Sequence, residues 1–440
     1  MSTASTTAPA TSVVQSSSRL TLFHGVAALV AVCGLVKALS ITDGAAVRND
    51  FVHYYLGAKF VLSGENPYAV PLQPHIEQLS GQYDPRIPVA AHPPLLLRFF
   101  CLFAWMPIEF ACYTWLALQV LLLVLFVELV RRTLNVRCDA LWWWIAISIF
   151  LNSTALHMQF FYSQVQVLVG CLIVGAYLVH RGGRPATGCA LATIAAAFKL
   201  YPLILLPWFA FAGCRNSRDM ATRATAAAIV GLIVLLITGI QPWLDFRELG
   251  LPVIRLHADT NPFNFSIYGL LASLTRTISG TPLSQTVADY LLHVAKWIGC
   301  GLLAMTYATI VWRRRTIADH VPLSLLLIVM ITIGLVSWSH YLVLLSLPCA
   351  VLIQHAHRFR MNWQRIFAYG IAALALLPAL ECFVWTDLDS VPRMVVHYYP
   401  LIIEAALATM LLAVPETCRH RRRGKERETG FEPATSSLGS

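Results

Sequence analysis

The chain has 440 residues, of which 57% are hydrophobic and only 12% are charged, and its formal net charge at pH 7 is +10. About a quarter of the residues in an ordinary soluble protein are charged, and a chain of this size has too little interior to hide so much apolar surface. The composition therefore predicts a polytopic membrane protein and excludes a cytosolic enzyme, a secreted disulfide-stabilised protein and a disordered protein. Nucleic-acid binding is excluded as well, because the lysines and arginines lie in short clusters between apolar runs.

Residues 1–19 are rich in serine, threonine and alanine and predict a disordered cytoplasmic tail. Residues 20–39 are apolar over the roughly 20 residues that cross a bilayer, and no signal-peptide cleavage site is obvious after them. Together with the later apolar runs they predict a transmembrane domain of about twelve helices over residues 20–415. Residues 416–440 are basic and then polar and predict a second disordered cytoplasmic tail. The later apolar runs lie at residues 109–130, 140–157, 164–180, 186–198, 201–213, 222–240, 288–312, 321–337, 340–355, 364–380 and 394–414.

The distribution of basic residues predicts the orientation of the chain in the membrane. With the N-terminus in the cytoplasm, the loops that fall inside carry arginine clusters, as at residues 131–137, 181–184 and 313–315. The outer segments are poor in basic residues, and two of them are long, at residues 40–107 and 241–286. We therefore expect a multi-pass protein of the inner (cytoplasmic) membrane with its functional site on the external face.

The first outer segment contains two predicted helices. Residues 51–62 predict an amphipathic helix on the membrane surface, since Tyr54, Tyr55 and Ala58 recur at helical spacing. A second helix over residues 95–103 follows two prolines and is too short to cross the bilayer, so we place it at the interface too.

The polar residues that could carry chemistry all fall at the predicted outer face. Asp50 follows the first transmembrane helix, Lys199 ends a short apolar run, and His340 lies between two apolar runs. Ionisable groups at membrane depth are costly and are therefore candidates for function. The other candidates at this face are Gln164, Gln166, Asn264, Ser266 and Tyr268.

Each candidate also has a structural alternative. Asp50 could cap the following helix by accepting bonds from free backbone N–H groups. Lys199 could extend its ammonium group to the lipid headgroups, and His340 could be a packed interface histidine. Gln164 and Gln166 could form hydrogen bonds between helices.

Several short motifs along the chain resemble those of one family. They are Asn-Asp-Phe-Val-His-Tyr-Tyr at 49–55, Gly-Glu-Asn-Pro-Tyr at 64–68, His-Pro-Pro-Leu at 92–95, Ser-Gln-Val-Gln at 163–166, Phe-Lys-Leu-Tyr-Pro at 198–202, Asn-Phe-Ser-Ile-Tyr-Gly at 264–269 and Ser-Trp-Ser-His-Tyr at 337–341. In this order they resemble glycosyltransferase family 87, polyprenol-dependent enzymes of the GT-C superfamily that include bacterial α-mannosyltransferases. Three residues depart from the family pattern: Ser163 stands for glycine, Gln166 for asparagine and His92 for an aromatic residue.

The resemblance implies an all-α polytopic membrane protein, with a GT-C-like bundle of about twelve transmembrane helices and interfacial helices in the large first outer loop. It implies transfer of a hexose, with mannose favoured, from a polyprenyl-phosphate sugar to an envelope glycan or glycolipid, with inversion at the anomeric carbon. It implies Asp50 as the catalytic base and His340 as a second catalytic residue. The residues implied in binding the donor phosphate or the substrate are Lys199, Gln164, Gln166, Tyr54, Tyr55, Asn264 and Tyr268.

Two other classes of function remain open from the residues alone. A secondary transporter or lipid flippase has about twelve spans and broken helices, although the two halves of this chain show no internal repeat. A non-catalytic partner in an envelope complex is the other class, and Asp50 within its motif argues against it. No metal or other cofactor is expected, because no cysteine–histidine spacing suits zinc, no Walker-type glycine-rich loop is present, and the acidic pair Asp387 and Asp389 is typical of a solvated loop.

Overall fold

The computed structural model describes residues 11–40, 50–80, 88–138, 140–214, 216–260, 264–313, 320–376 and 398–414. These residues form helices and turns, and the described part of the chain contains no strand, so the all-α prediction is confirmed for it. The predicted C-terminal tail and the pair Asp387 and Asp389 lie outside the described residues, as do residues 1–10 of the predicted N-terminal tail.

The first part of the chain contains α1 (Thr11–Ser40), α2 (Asp50–Ser63), α3 (Gln73–Ser80), α4 (Pro94–Ala104), α5 (Ile108–Leu134), α6 (Leu141–Leu151), α7 (Thr154–Phe161), α8 (Gln166–Arg181), α9 (Pro185–Phe198) and α10 (Leu206–Phe211). The second part contains α11 (Ser217–Thr238), α12 (Gln241–Asp245), α13 (Leu251–Thr260), α14 (Ile267–Ser279), α15 (Gln285–Trp312), α16 (Val321–Thr332), α17 (Ser346–Ala356), α18 (Asn362–Leu376) and α19 (Tyr399–Leu412). Two 3₁₀ turns, Tyr201–Leu205 and Ser339–Leu345, lead into α10 and α17, and a π-helical turn, Phe246–Gly250, joins α12 to α13.

Within the described residues, each predicted apolar run contains helix, but the helices differ in length. Within the described residues, five helical segments are long and apolar enough to cross a membrane, or six if the bent pair α6 and α7 forms one span. Several others, including α8, α9 and α16, are apolar but only 10–17 residues long. These helices are consistent with a membrane protein, while the count of about twelve crossings stays a prediction.

The predicted run over residues 140–157 is broken for a local reason. The side chain of Asn152 donates to the carbonyl oxygen of Ser148 at 2.8 Å, and the Ser153 hydroxyl caps α7 by accepting from the backbone N–H of Leu156 at 3.2 Å. The two caps end one helix and start the next, and α7 departs from α6 by 48°. The bend directs α7 toward the loop that carries Gln164.

Helices α8 and α9 form an antiparallel hairpin that has candidate site residues at one end and arginines at the other. Gln166 begins α8 and Arg181 ends it, whereas Arg184 precedes α9 and Lys199 follows its last residue. At 1.5 Å per residue, α8 separates its two ends by about 22 Å. The candidate residues Gln166 and Lys199 therefore share one end of the hairpin, and the arginines share the other, as the orientation prediction requires.

Helix α2 is not an amphipathic surface helix, and that prediction was wrong. Residues on nearly all sides of α2 are buried, including Phe51, Tyr54 and Tyr55. Tyr54 stacks on Phe100 of α4 with ring centroids 4.7 Å apart, and a Cβ at Gly57 would lie 2.9 Å from the side chain of Leu97. The face of α2 with Tyr54, which suggested contact with lipid, is instead covered by α4. This packing holds the first turn of α2, which contains Asp50, in place.

The two long outer segments contact each other. The amide of Asn66 donates to the Asp245 carboxylate at 3.0 Å, and the rings of Tyr68 and Phe246 lie 5.7 Å apart. At Gly250 a Cβ would approach the Phe246 ring to 2.7 Å, so this contact requires glycine. The second outer segment thus packs against the turn that follows α2 in the first.

Candidate active site

The centre of the candidate site is a hydrogen-bonded chain that starts at Asp50, the first residue of α2. The side-chain amide of Gln164 donates to the Asp50 carboxylate, and the hydroxyl of Tyr54 donates to the Gln164 carboxamide oxygen at 2.8 Å. Residues 50 and 54 are one helical turn apart, so both reach the same glutamine. Gln164 therefore fixes the orientation of the carboxylate while connecting two separate parts of the chain.

The loop that carries Gln164 is itself held by backbone and side-chain contacts. The backbone N–H of Gln164 donates to the Gln159 carbonyl oxygen at 2.9 Å, and the Gln159 side chain donates back to the Gln164 carbonyl oxygen. Ser163 has φ 51°, in the left-handed region, and its carbonyl oxygen accepts from the Trp115 indole at 2.9 Å. Glycine would suit this conformation better, which gives a physical reason for the glycine of the family pattern.

Burial keeps Tyr54 a hydrogen-bond donor. The side chain is fully buried, and burial together with the negative charge of Asp50 raises the pKa of Tyr54 well above its ordinary value. The phenol therefore stays protonated at neutral pH and donates to Gln164, and Asp50 is the negatively charged member of the pair.

Lys199 supplies the positive charge of the site. It follows α9 in an extended conformation, with φ −145° and ψ 132°, and is only 8% exposed. Its ammonium group is within electrostatic range of Asp50, His92 and His340. Its side chain therefore lies in the buried polar cluster, which does not fit the alternative of a lysine extended to the headgroups.

His340 lies in the same cluster at the start of a 3₁₀ turn. Its ring packs against Tyr341 and Trp338, with centroids 4.9 and 5.6 Å away, and only 1% of the residue is exposed. Both of its ring nitrogens lack a hydrogen-bond partner within the described residues. Simple packing explains the ring contacts but leaves two buried polar atoms unpaired, which is costly in the absence of a ligand.

Gln166 has a different set of partners from Gln164. Its carboxamide oxygen accepts from the hydroxyl of Tyr201, whose ring lies 5.2 Å from that of Tyr341. Gln166 thus connects α8, the turn after Lys199 and the turn that contains His340. The alternative of a glutamine that links helices describes this contact well.

Three predicted residues have other surroundings. The Asn264 amide donates to the Leu335 carbonyl oxygen at 2.9 Å, and its oxygen accepts from the backbone N–H of Ser337 at 2.9 Å. Tyr268 packs with Leu291 in a separate apolar cluster, and the hydroxyl of Tyr55 donates to the Met106 carbonyl oxygen at 2.7 Å. Asn264 therefore holds the backbone that leads to His340.

Three residues of the cluster were not predicted as site residues. His92, Tyr201 and Tyr341 belong to the quoted motifs, yet only their neighbours were given roles. Burial, and to a lesser extent the charge of Lys199, lowers the pKa of His92 well below its ordinary value, so its imidazole is neutral. The signal that could have found them is their position beside charged candidates in the same motifs.

Within the described part of the chain, no group of three or more histidine, cysteine, aspartate or glutamate residues is arranged to hold a metal ion. The cluster combines one carboxylate, one ammonium group and several neutral polar groups in a buried space.

The sequence model of glycosyltransferase family 87 matches residues 91–338, more than half of the chain. The chain belongs to glycosyltransferase family 87. The match spans the motifs with His92, Gln164, Lys199 and Asn264, whereas Asp50 precedes it and His340 lies just beyond its end. A search of curated proteins found no match. Membership in family 87 supports a transferase rather than a transporter or a non-catalytic partner.

Proposed function

We propose that this family 87 glycosyltransferase moves a hexose, with mannose the first choice, from a polyprenyl-phosphate sugar to an envelope glycan or glycolipid. The observation that carries the proposal is the buried cluster in which Asp50, its bridge Gln164 and Lys199 come together. The reaction would take place at the external face of the inner membrane, since the arginines of α8 and α9 lie at the opposite helix ends.

In this proposal Asp50 is the general base. Its carboxylate takes the proton of the acceptor hydroxyl as the acceptor oxygen forms a bond to the anomeric carbon. The bond between that carbon and the phosphate oxygen breaks, and polyprenyl phosphate leaves with the electron pair. Direct displacement of this kind inverts the anomeric configuration. Gln164 and Tyr54 hold the carboxylate in place, and orientation of this kind is a large part of catalysis.

Lys199 and His340 act on the leaving phosphate. Negative charge grows on the phosphate oxygen as the bond to the sugar breaks, and a nearby ammonium group stabilises it. The unpaired ring nitrogens of His340 can donate one further hydrogen bond. One cation suits a phosphodiester with a single negative charge better than a diphosphate donor, which supports a lipid monophosphate as the activating group.

The test is transfer by the purified protein in lipid nanodiscs. Polyprenyl phosphates carrying mannose, glucose or galactose are supplied with a lipid extract as acceptor, and products are identified by mass spectrometry. We expect a lipid-linked glycan extended by one hexose with one of these donors. Absence of transfer from all three donors, or transfer directly from a nucleotide sugar, would contradict the proposal.

A further inference from the structure

His92 is a buried histidine beside the site that has no role in the mechanism above. It precedes Pro93 and Pro94 at the start of α4, and only 9% of the residue is exposed. Its carbonyl oxygen accepts from the hydroxyl of Tyr68 at 2.8 Å. A residue before proline favours the extended conformation, so both the prolines and the Tyr68 contact fix the backbone of His92.

The His92 ring is packed on one side and unpaired at one nitrogen. Its centroid lies 4.4 Å from that of Tyr54, whose hydroxyl is bound to Gln164. Nε2 is buried and has no hydrogen-bond partner in the described part of the chain. Burying an unpaired nitrogen costs free energy, and a native structure that keeps one often pairs it with a ligand or an ordered water.

The surroundings of His92 indicate the chemistry of that ligand. The titratable groups that act on it electrostatically are Lys199 and His53. A neutral imidazole offers one donor and one acceptor, which suits a hydroxyl group. A second phosphate at this position would need a further permanent cation, and the groups that act on His92 besides Lys199 include only the titratable imidazole of His53.

We propose that Nε2 of His92 hydrogen-bonds a hydroxyl group of a sugar bound next to Lys199, so that His92 determines which sugar is used. This inference rests on the proposed function, because the sugar is either the donor sugar, whose phosphate Lys199 binds, or the acceptor sugar that receives the hexose. The hydroxyl belongs either to the donor sugar or to the acceptor sugar, and kinetics with both substrates distinguish these sources.

The substitution His92→Phe tests the proposal, because it keeps an aromatic ring against Tyr54 and removes the nitrogen. We expect an increase of about tenfold in KM for one substrate, the size of effect expected for one neutral hydrogen bond, with kcat within about twofold of the wild type. The matched control is His355→Phe. His355 is 5% exposed, both its ring nitrogens lack partners in the described residues, and it lies at the end of α17 that is far from the His340 turn.

A second variant and substrate analogues separate recognition from folding. His92→Gln keeps a hydrogen-bonding group without the ring and should recover part of the lost KM, even if its melting temperature falls. Donor and acceptor analogues that each lack one hydroxyl identify the contact, because the analogue without the recognised hydroxyl should show the same KM with the wild type and with His92→Phe.

Two results overturn the inference in different ways. An unchanged KM for both substrates in His92→Phe, or an equal rise for every analogue, would overturn the contact while leaving the proposed function intact. Absence of transfer by the wild type would overturn the proposed function, and this inference with it.

Discussion

Asp50 and Lys199 are the two opposite charges of a site that otherwise contains neutral polar groups. Asp50 interacts with Lys199 electrostatically and accepts a hydrogen bond from Gln164. Lys199 is buried and Asp50 is half-buried, and charges of opposite sign in such surroundings are tolerated when they are paired and hydrogen-bonded. A substitution at Asp50 therefore separates chemistry from folding when the replacement keeps the hydrogen bond to Gln164.

The substitution Asp50→Asn should reduce transfer by about 10²–10⁴-fold, the usual contribution of a general base. Asparagine keeps the shape of the side chain and can still hydrogen-bond Gln164, and it caps helices about as well as aspartate, so the variant should fold. The initial rate of hexose transfer and the melting temperature are measured together. Glu109→Gln is the control, since Glu109 is an exposed acid in the first turn of α5. A folded Asp50→Asn variant with nearly normal transfer would show that Asp50 only caps α2.

The substitution Lys199→Ala should raise KM for the lipid-phosphate donor far more than KM for the acceptor. Charge-assisted contacts to phosphate are strong. Lys199→Arg should recover only part of the lost donor affinity, because a guanidinium is planar and spreads its charge, whereas an ammonium group is compact. Lys59→Ala is the control, since Lys59 is exposed and lies over the Tyr55 ring at 5.1 Å. Equal donor kinetics in Lys199→Ala and Lys59→Ala would assign Lys199 a structural role.

The segment before His340 is held by a clamp that joins the start of α14 to the residues that follow α16. Besides the contacts of Asn264, the backbone N–H of Phe265 donates to the Ser337 carbonyl oxygen at 2.7 Å, and the Ser266 hydroxyl accepts from the backbone N–H of Gly269 at 3.1 Å. A Cβ at Gly269 would lie 1.9 Å from the Asn264 carbonyl oxygen, so only glycine fits. The clamp sets the position from which the His340 turn starts.

The substitution Gly269→Ala should destabilise the protein by at least about 1–3 kcal/mol, the usual cost of overpacking, and should reduce transfer. The matched control is Gly301→Ala within α15, where a Cβ meets nothing within 4 Å. Alanine favours a helix by roughly 1 kcal/mol over glycine, so Gly301→Ala should raise the melting temperature or leave it unchanged. The two melting temperatures and the two transfer rates are compared in the same detergent. Equal behaviour of the two variants would show that the clamp is not required.

The helices were predictable from the sequence because long apolar runs in this composition have few alternatives to helix. The break between α6 and α7 was missed, since it depends on the caps formed by Asn152 and Ser153. The burial of α2 was missed because its partner α4, which lies in the same outer segment, was itself placed at the membrane interface. Among polar residues, Asp50 and Lys199 were found by charge alone. The hydrogen bond from Asn264 to Leu335, separated by 71 residues, has no signal in the sequence.

The candidate polar residues and the arginine clusters lie at opposite ends of the same helices. Gln166 begins α8 and Lys199 follows α9, while Arg181 and Arg184 lie at the other end of this hairpin. The end of α5 also carries two arginines, and each is paired with Glu128 at 2.7 Å. Positive charge at one set of ends favours the cytoplasm for that side, and this supports the proposal that the buried cluster faces outward.

Labelling of single cysteines introduced into a cysteine-free variant tests this arrangement. Asp50 and His340 are poorly accessible, so the probes are placed at exposed neighbours: Glu65 and Glu248 in the two outer segments, and Arg184 and His357 at the basic ends. We expect a membrane-impermeant maleimide to label positions 65 and 248 in intact cells, and positions 184 and 357 only after the membrane is opened. Because the outer segments contact each other through Asn66 and Asp245, positions 65 and 248 must label from the same side. Labelling of position 184 together with position 65 in intact cells would contradict both the orientation and an active site on the external face.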